Sequence, residues 1–197
     1  MAPLNDEQLH QIRDERREQI RRAGLKVFAR RGILGTKMSM IASEAGISHG
    51  LVYHYFKSKD ELFISLVEEA VVSAAEAVRS IYSIPGSPME KLRFLTAEIL
   101  DPGGTEYFLL IHQARTSDGV PEQAKELIAA YSMRTFIDVL IPLFTEGQQA
   151  GEIVSGNAEE LIASYLSILS GLMVLHTKEG EYRIPETSLL LRMLTPP

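Results

Sequence analysis

Apolar residues recur at intervals of three and four along almost the whole chain, and no run of alternating β-branched residues interrupts them. That is the helical period, so the fold is expected to be all-α, with about nine helices and no strand. Start and stop signals divide it. Residues 1–10 read as a poorly ordered leader. A helix follows from about Asp14 to Arg31, with Ile20, Ala23, Gly24, Val27 and Phe28 on one buried face. Gly32 is placed to end it and Gly35 to loosen the chain after it. Ser58 and Glu61 form a capping box that opens a long helix to about Tyr82. After Pro85-Gly86, the run Ser87-Pro88-Met89-Glu90 restarts a helix that ends near Asp101-Pro102-Gly103-Gly104. Another covers about Thr105 to Thr116. One more is expected from near Pro121 to about Ala150, kinked at Pro142. Asn157 to Glu160 caps a strongly apolar helix to about His176, and a last one spans roughly Glu186 to Leu194.

Composition narrows the function classes. There is no Cys, which excludes disulfides, thiolate metal sites and Cys nucleophiles, and fits a reducing cytoplasm. The polar first twenty residues argue against a signal peptide. The longest apolar stretch, Leu161 to Leu175, reads as too short to span a bilayer and is broken by Ser164, Ser167 and Ser170, so no membrane partner is expected. The net charge of -6 suits nucleic acid poorly until it is divided: residues 1–60 carry +4 and residues 61–197 carry -10. Phosphate binding needs local positive charge, not a basic whole. Charge runs are also ordinary on solvated helix faces, so the asymmetry is a hint.

The segment from Met38 to Phe56 is the densest in chemistry. Ile41, Ala42 and Ala45 put a small apolar face on a two-turn helix. Gly46 can take positive φ, Ile47 can plug the corner, and Ser48 can cap a second helix that buries Leu51, Val52 and Tyr55 or Phe56. This is a helix-turn-helix plan, whose second helix can enter a major groove. A plain αα-corner satisfies the same spacing. Polar residues favour the first reading. Ser48, His49 and Gly50 open the second helix, and a glycine inside a helix costs roughly 1 kcal/mol against alanine. Tyr53, His54, Tyr55, Lys57 and Lys59 crowd seven residues with groups able to hold phosphates.

From about Arg16 to Glu76 the chain resembles the TetR (tetracycline-repressor-like) family of bacterial transcriptional regulators. The resemblance rests on Ile20 to Phe28, Gly32, Ile41-Ala42, Ala45 to Ser48, Gly50, Val52 to Phe56, Lys57 to Lys59 and Glu61 to Phe63. It implies a helix-turn-helix domain over 16–76, with the motif at about 38–58. Residues 77–197 would form a helical ligand-sensing and dimerisation domain. Ser48, His49 and Gly50 fall where members face base edges. Tyr53, Tyr55, Lys59, Lys37 and Ser39 fall where members hold phosphates. The chain departs at Lys37, where members usually carry a Thr or Ser cap, so Thr36 or a shifted start is expected to substitute. Met40 stands where an acidic or polar residue is common.

The resemblance further implies a homodimer, paired through the helices near 157–176 and 186–194, on a palindromic double-stranded DNA operator. The helix with Tyr165, Leu166, Leu169, Leu172, Met173 and Leu175 is apolar nearly all round, as a helix touching both core and partner would be; a central helix of a monomer has the same composition. A mostly apolar small-molecule effector is implied, and no cofactor. Candidate lining residues are Phe94, Tyr107, Phe108, Ile111, His112, Met133, Phe136, Leu140 and Met173, each equally suited to core. His112, Gln113, Arg115 and Arg134 are candidate polar anchors. The competing readings are a helical enzyme and a protein-interaction module. An enzyme lacks support: there is no GxSxG, HExxH or Gly-rich phosphate loop, and the five His are scattered, with only His112 and His176 left as a conceivable pair. The expected function is a cytoplasmic, ligand-released repressor.

Overall fold

A computed structural model describes residues 6–179 and 183–197, and among these it contains helices and no strand. The helices are α1 (Asp6–Gly35), α2 (Met38–Glu44), α3 (His49–Tyr55), α4 (Lys59–Ser80), α5 (Pro88–Ile99), α6 (Thr105–Thr116), α7 (Glu122–Ala130), α8 (Met133–Gln149), α9 (Ala158–Glu179) and the four-residue α10 (Thr187–Leu190). Residues 1–5 of the expected leader lie outside the described part.

Three boundaries differ from expectation. α1 starts at Asp6, not near Asp14. Every residue from Glu7 to Glu18 is exposed, so this part of the helix rests on local pairs rather than burial. Gln11 Nε2 donates to Glu15 Oε1 at 3.1 Å and Arg22 Nε to Glu18 Oε1 at 2.9 Å, the i,i+4 spacing that a helix brings together. The expected helix from Pro121 to Ala150 is two helices, α7 and α8, parted at Tyr131–Ser132. Ser132 takes the extended conformation of an N-cap (φ −70°, ψ 167°), where a serine is favoured. Pro142, the expected kink, sits inside α8 without dividing it. The last expected helix is shorter, with α10 followed by a 3-10 turn at Leu191–Met193.

The capping signals hold at Ser87 and Asn157 and in part at Ser58. Ser87 and Glu90 form a full capping box. Asn157 Oδ1 accepts from the amides of Glu159 and Glu160 at 2.9 and 3.3 Å. At Ser58 half of the expected box forms: its Oγ accepts from the Glu61 amide at 3.0 Å, while the Glu61 carboxylate takes the amide of Lys57, one residue earlier.

The chain divides into two compact units, Met1–Ala70 with Leu109–Leu127, and Val71–Phe108 with Ile128–Pro197. A single cut after residue 76 does not reproduce them, because residues 109–127 join the first unit. That unit, the head, buries Ile20, Phe28, Ile41, Val52, Phe56 and Phe63 completely. Phe28 and Phe63 meet edge-on with ring centroids 5.1 Å apart. Gly24 lets α1 and α4 approach closely, since a Cβ there would stand 2.8 Å from Leu62 Cδ2. The second unit, the body, is built around Ile81, Leu92, Leu140, Phe144, Ile162 and Tyr165.

Two stretches, Glu122–Gln149 and Ala158–Leu175, are long and apolar enough to cross a membrane by length and composition, each with mean hydropathy 1.5. This corrects the expectation that the stretch around Leu161 to Leu175 is too short: within α9 the window reaches 18 residues. One face of α9 is core all the same, with Ile162, Tyr165, Leu169 and Met173 at most 2% exposed.

Candidate nucleic-acid interface

The corner between α2 and α3 is built by local backbone chemistry. Ala45 ends α2 in helical conformation, and Gly46 follows at φ 65°, a left-handed conformation that glycine adopts without Cβ strain. The Ile47 amide then reaches the Ala42 carbonyl at 3.0 Å and the Gly46 amide reaches Ser43 at 3.1 Å, the paired bonds of a Schellman motif. Gln19 of α1 donates from Nε2 to the Ala45 carbonyl at 2.7 Å and pins the same corner from outside. Ser48 is the N-cap of α3, its Oγ accepting from the Leu51 amide at 3.3 Å. Val52 and Phe56 anchor α3 from beneath at 0% exposure. The guanidinium of Arg17 lies 4.9 Å from the centroid of the Phe56 ring.

This anchoring leaves the other face of α3 free. Ser48, His49, Gly50, Tyr53 and His54 are all exposed, and Tyr55 is half-buried. The His49 and Tyr53 rings stand edge to face at 5.0 Å, one turn apart, which stiffens two groups on the outward surface. Gly50 has no internal reason to be glycine. Its φ is not positive, and a Cβ built there would meet nothing within 4 Å. Lys37 and Ser39 are exposed at the start of α2. Lys37 is the N-cap by backbone position but makes no side-chain cap, and the expected substitute, Thr36, does not provide one. Thr36 is 1% exposed, and its Oγ1 donates to the Gly32 carbonyl at 2.6 Å.

Lys59 stands apart from the other phosphate candidates. Its Nζ is half-buried and donates to the carbonyls of Ile33 at 2.8 Å and Thr36 at 3.3 Å. Two of its three N–H bonds therefore close the C-terminal end of α1, and its charge sits where the helix dipole favours a cation.

The candidate effector residues do not form one group. Met173 is in the body core, and Phe108, Met133 and Phe136 pack partly buried against it, with Leu140 fully buried. Phe94 lies on the surface at 51% exposure, because it falls on the side of α5 opposite Leu92 and Leu95, and this corrects its assignment to an interior pocket. Tyr107 is half-buried in the body, while Ile111 and His112 belong to the head. Two of the polar anchors are committed elsewhere: Gln113 donates to the Ala29 carbonyl, and exposed Arg134 pairs with Asp138 and Glu159 at 2.8 Å. Among the described residues no group of three or more His, Cys, Asp or Glu is placed to hold a metal ion. The side chain of His176 lies outside the described part.

Residues 20–66 match the family model "Bacterial regulatory proteins, tetR family". The chain is 29% identical over 140 residues to the HTH-type transcriptional repressor NicS of Pseudomonas putida, which covers 70% of this chain and 66% of that one. It is 27% identical over 139 residues to the fatty acid metabolism regulator protein of Bacillus subtilis, covering 70% of this chain and 71% of the relative. The chain thus spans about two thirds of the length of these relatives. The crystal structure of the MbdR regulator from Azoarcus superposes with a TM-score of 0.77 over 90% of this chain and 96% of that one, at 22% identity, a likeness of fold.

Proposed function

This chain is a member of the tetR family of bacterial regulatory proteins, and we propose that it is a sequence-specific DNA-binding transcriptional repressor, acting as a homodimer on a palindromic operator. The observation that carries the reading is Gly50. Neither backbone conformation nor packing inside the chain asks for a glycine there, yet it sits mid-surface on α3 between exposed His49 and Tyr53. A bare helix surface at the cost of helix propensity is what close approach to base edges demands. In this reading Ser48, His49 and Gly50 face the bases. Tyr53, Tyr55, Lys37 and Ser39 hold phosphates, with the remaining donor of Lys59 beside them. The +4 charge of residues 1–60 supplies the local field over a chain of net charge -6.

Pairing of two copies has support on α9. Ser164, Ser167, Ile168, Gly171 and Leu175 are exposed along one face, small residues mixed with apolar ones, and a Cβ at Gly171 would meet nothing within 4 Å in its own chain. Leu189 of α10 adds an apolar side chain at 56% exposure. Pairing there gives two heads related by a two-fold axis, hence half-sites about one helical turn, or a multiple of it, apart. A small, mostly apolar effector that prefers one arrangement of the heads would release the operator. Its support is the apolar body around Phe108, Met133, Phe136 and Met173. The reading needs no cofactor, and it places the protein in the cytoplasm with the DNA.

Selection of bound duplexes from a random pool tests the reading. A two-fold symmetric site, bound with an affinity that falls steeply with salt, is expected. With that site in hand, Gly50→Ala will raise helix stability by up to about 1 kcal/mol and still weaken operator binding. Absence of salt-dependent binding to any duplex, or unchanged affinity in Gly50→Ala, would overturn it.

A further inference from the structure

Gly32 interrupts α1 with φ 65° and ψ 174°, three residues before its end, so the carbonyls around the break are displaced from the regular ladder. Side chains from separate elements take them up. Thr36 Oγ1 binds the Gly32 carbonyl, and Lys59 of α4 binds those of Ile33 and Thr36. The Ala29 carbonyl, one residue into the last turn before the break, accepts from Gln113 of α6, from Nε2 at 2.7 Å. The other end of that amide fills the place of a side chain on Gly32: a Cβ there would stand 2.5 Å from Gln113 Oε1. One side chain thus binds the turn before the break and fills the space beside Gly32. The same region is clasped again where Leu34 lies against Gly119, in the link between α6 and α7, so closely that a Cβ on that glycine would overlap it.

We propose that Gln113 is a positioning residue for DNA reading: seated on Gly32, it fixes the angle at which α1 hands the chain to α2, and so the setting of α3. It makes no DNA contact itself. The motif 38–58 is then not a self-sufficient reader, since its setting depends on a side chain some fifty residues beyond it, within the segment Leu109–Leu127 that packs with the head. Small changes of helix angle matter more to base contacts, which need hydrogen-bond geometry, than to phosphate contacts, which tolerate displacement.

This inference rests on the DNA-binding reading, and its test separates the two. Gln113→Glu and Gln113→Met keep the length of the side chain and remove the donor to Ala29. Each is expected to lose about tenfold in affinity for the selected operator, with affinity for a random duplex, its salt dependence and the melting temperature of the full chain nearly unchanged. A residue that only stabilised the fold would move the melting temperature and both duplexes together. Gly32→Ala supplies a second route. Combined with Gln113→Ala, which clears the space above residue 32, it should cost less operator affinity than in the parent chain, so the pair is non-additive. Equal operator affinity in the variants and the parent, equal losses on both duplexes, or strict additivity would overturn the positioning role and leave DNA binding standing. A parent chain that binds no duplex would overturn both.

Discussion

Around the helix-turn-helix, side-chain donors from four parts of the chain end on backbone carbonyls: Gln19 on Ala45, Thr36 on Gly32, Lys59 on Ile33 and Thr36, Gln113 on Ala29. In the body such bonds lie at the edge, where Tyr82 reaches Val139 and Gln148 reaches Val154 and Gly156. Among the described residues the body interior is apolar apart from one buried pair. Thr96 Oγ1 donates to the Leu92 carbonyl at 2.7 Å and lies 2.8 Å from the Tyr165 hydroxyl. The difference follows from the tasks. A reading surface needs backbone held in one place, and directional bonds to carbonyls do that. Apolar packing tolerates exchange of side chains of similar volume, which would suit the effector-binding role proposed for the body.

The largest test of the contrast is Phe63→Ala. Removing a ring fully buried against Phe28 should cost about 3–5 kcal/mol and take operator binding with it, read from urea unfolding and a binding titration. A loss below about 1 kcal/mol would mean that the head has no core of its own.

Next is the buried pair of the body. Burial pushes the Tyr165 hydroxyl up to about 12, partly opposed by its hydrogen bond to Thr96. Between the ordinary tyrosine value near 10 and that value the unfolded chain loses this proton and the folded chain keeps it. Stability is therefore intact below pH 10 and falls as pH rises toward 12, by on the order of 2–3 kcal/mol. Tyr165→Phe should flatten that part of the pH dependence; an unchanged slope would place its origin elsewhere.

Gly46→Ala should cost about 1–2 kcal/mol through backbone strain alone, because a Cβ there meets nothing within 4 Å. Gly46→Asn should recover much of it in the same thermal melts, since Asn tolerates that conformation. The smallest effect is expected at Arg134, whose pairs with Glu159 and Asp138 lie on the surface. Arg134→Ala should leave the melting midpoint in place at low and high salt. A drop confined to low salt would show that surface charge does contribute to the body.

The helix-turn-helix was legible because its signals are local: a glycine for the turn, a serine for the cap, apolar residues at fixed spacing. Ser48, Gly46, Ser87 and Asn157 do what their types and neighbours dictate. The α7–α8 break was missed because Ser132 is a weaker visible signal than Pro142, and a proline inside a helix is tolerated when its surroundings are. Phe94 was misplaced because an aromatic on an amphipathic helix is interior by default.

The sequence by itself determined the all-helical class, the corner between α2 and α3, and the caps, since these depend on residues within a turn or two of each other. Only the tertiary structure decided that Lys59 closes α1, that residues 109–127 belong with the head, and that Gln113 sits on Gly32. Those choices depend on which distant side chain reaches an unsatisfied carbonyl, and neither period nor propensity encodes that distance.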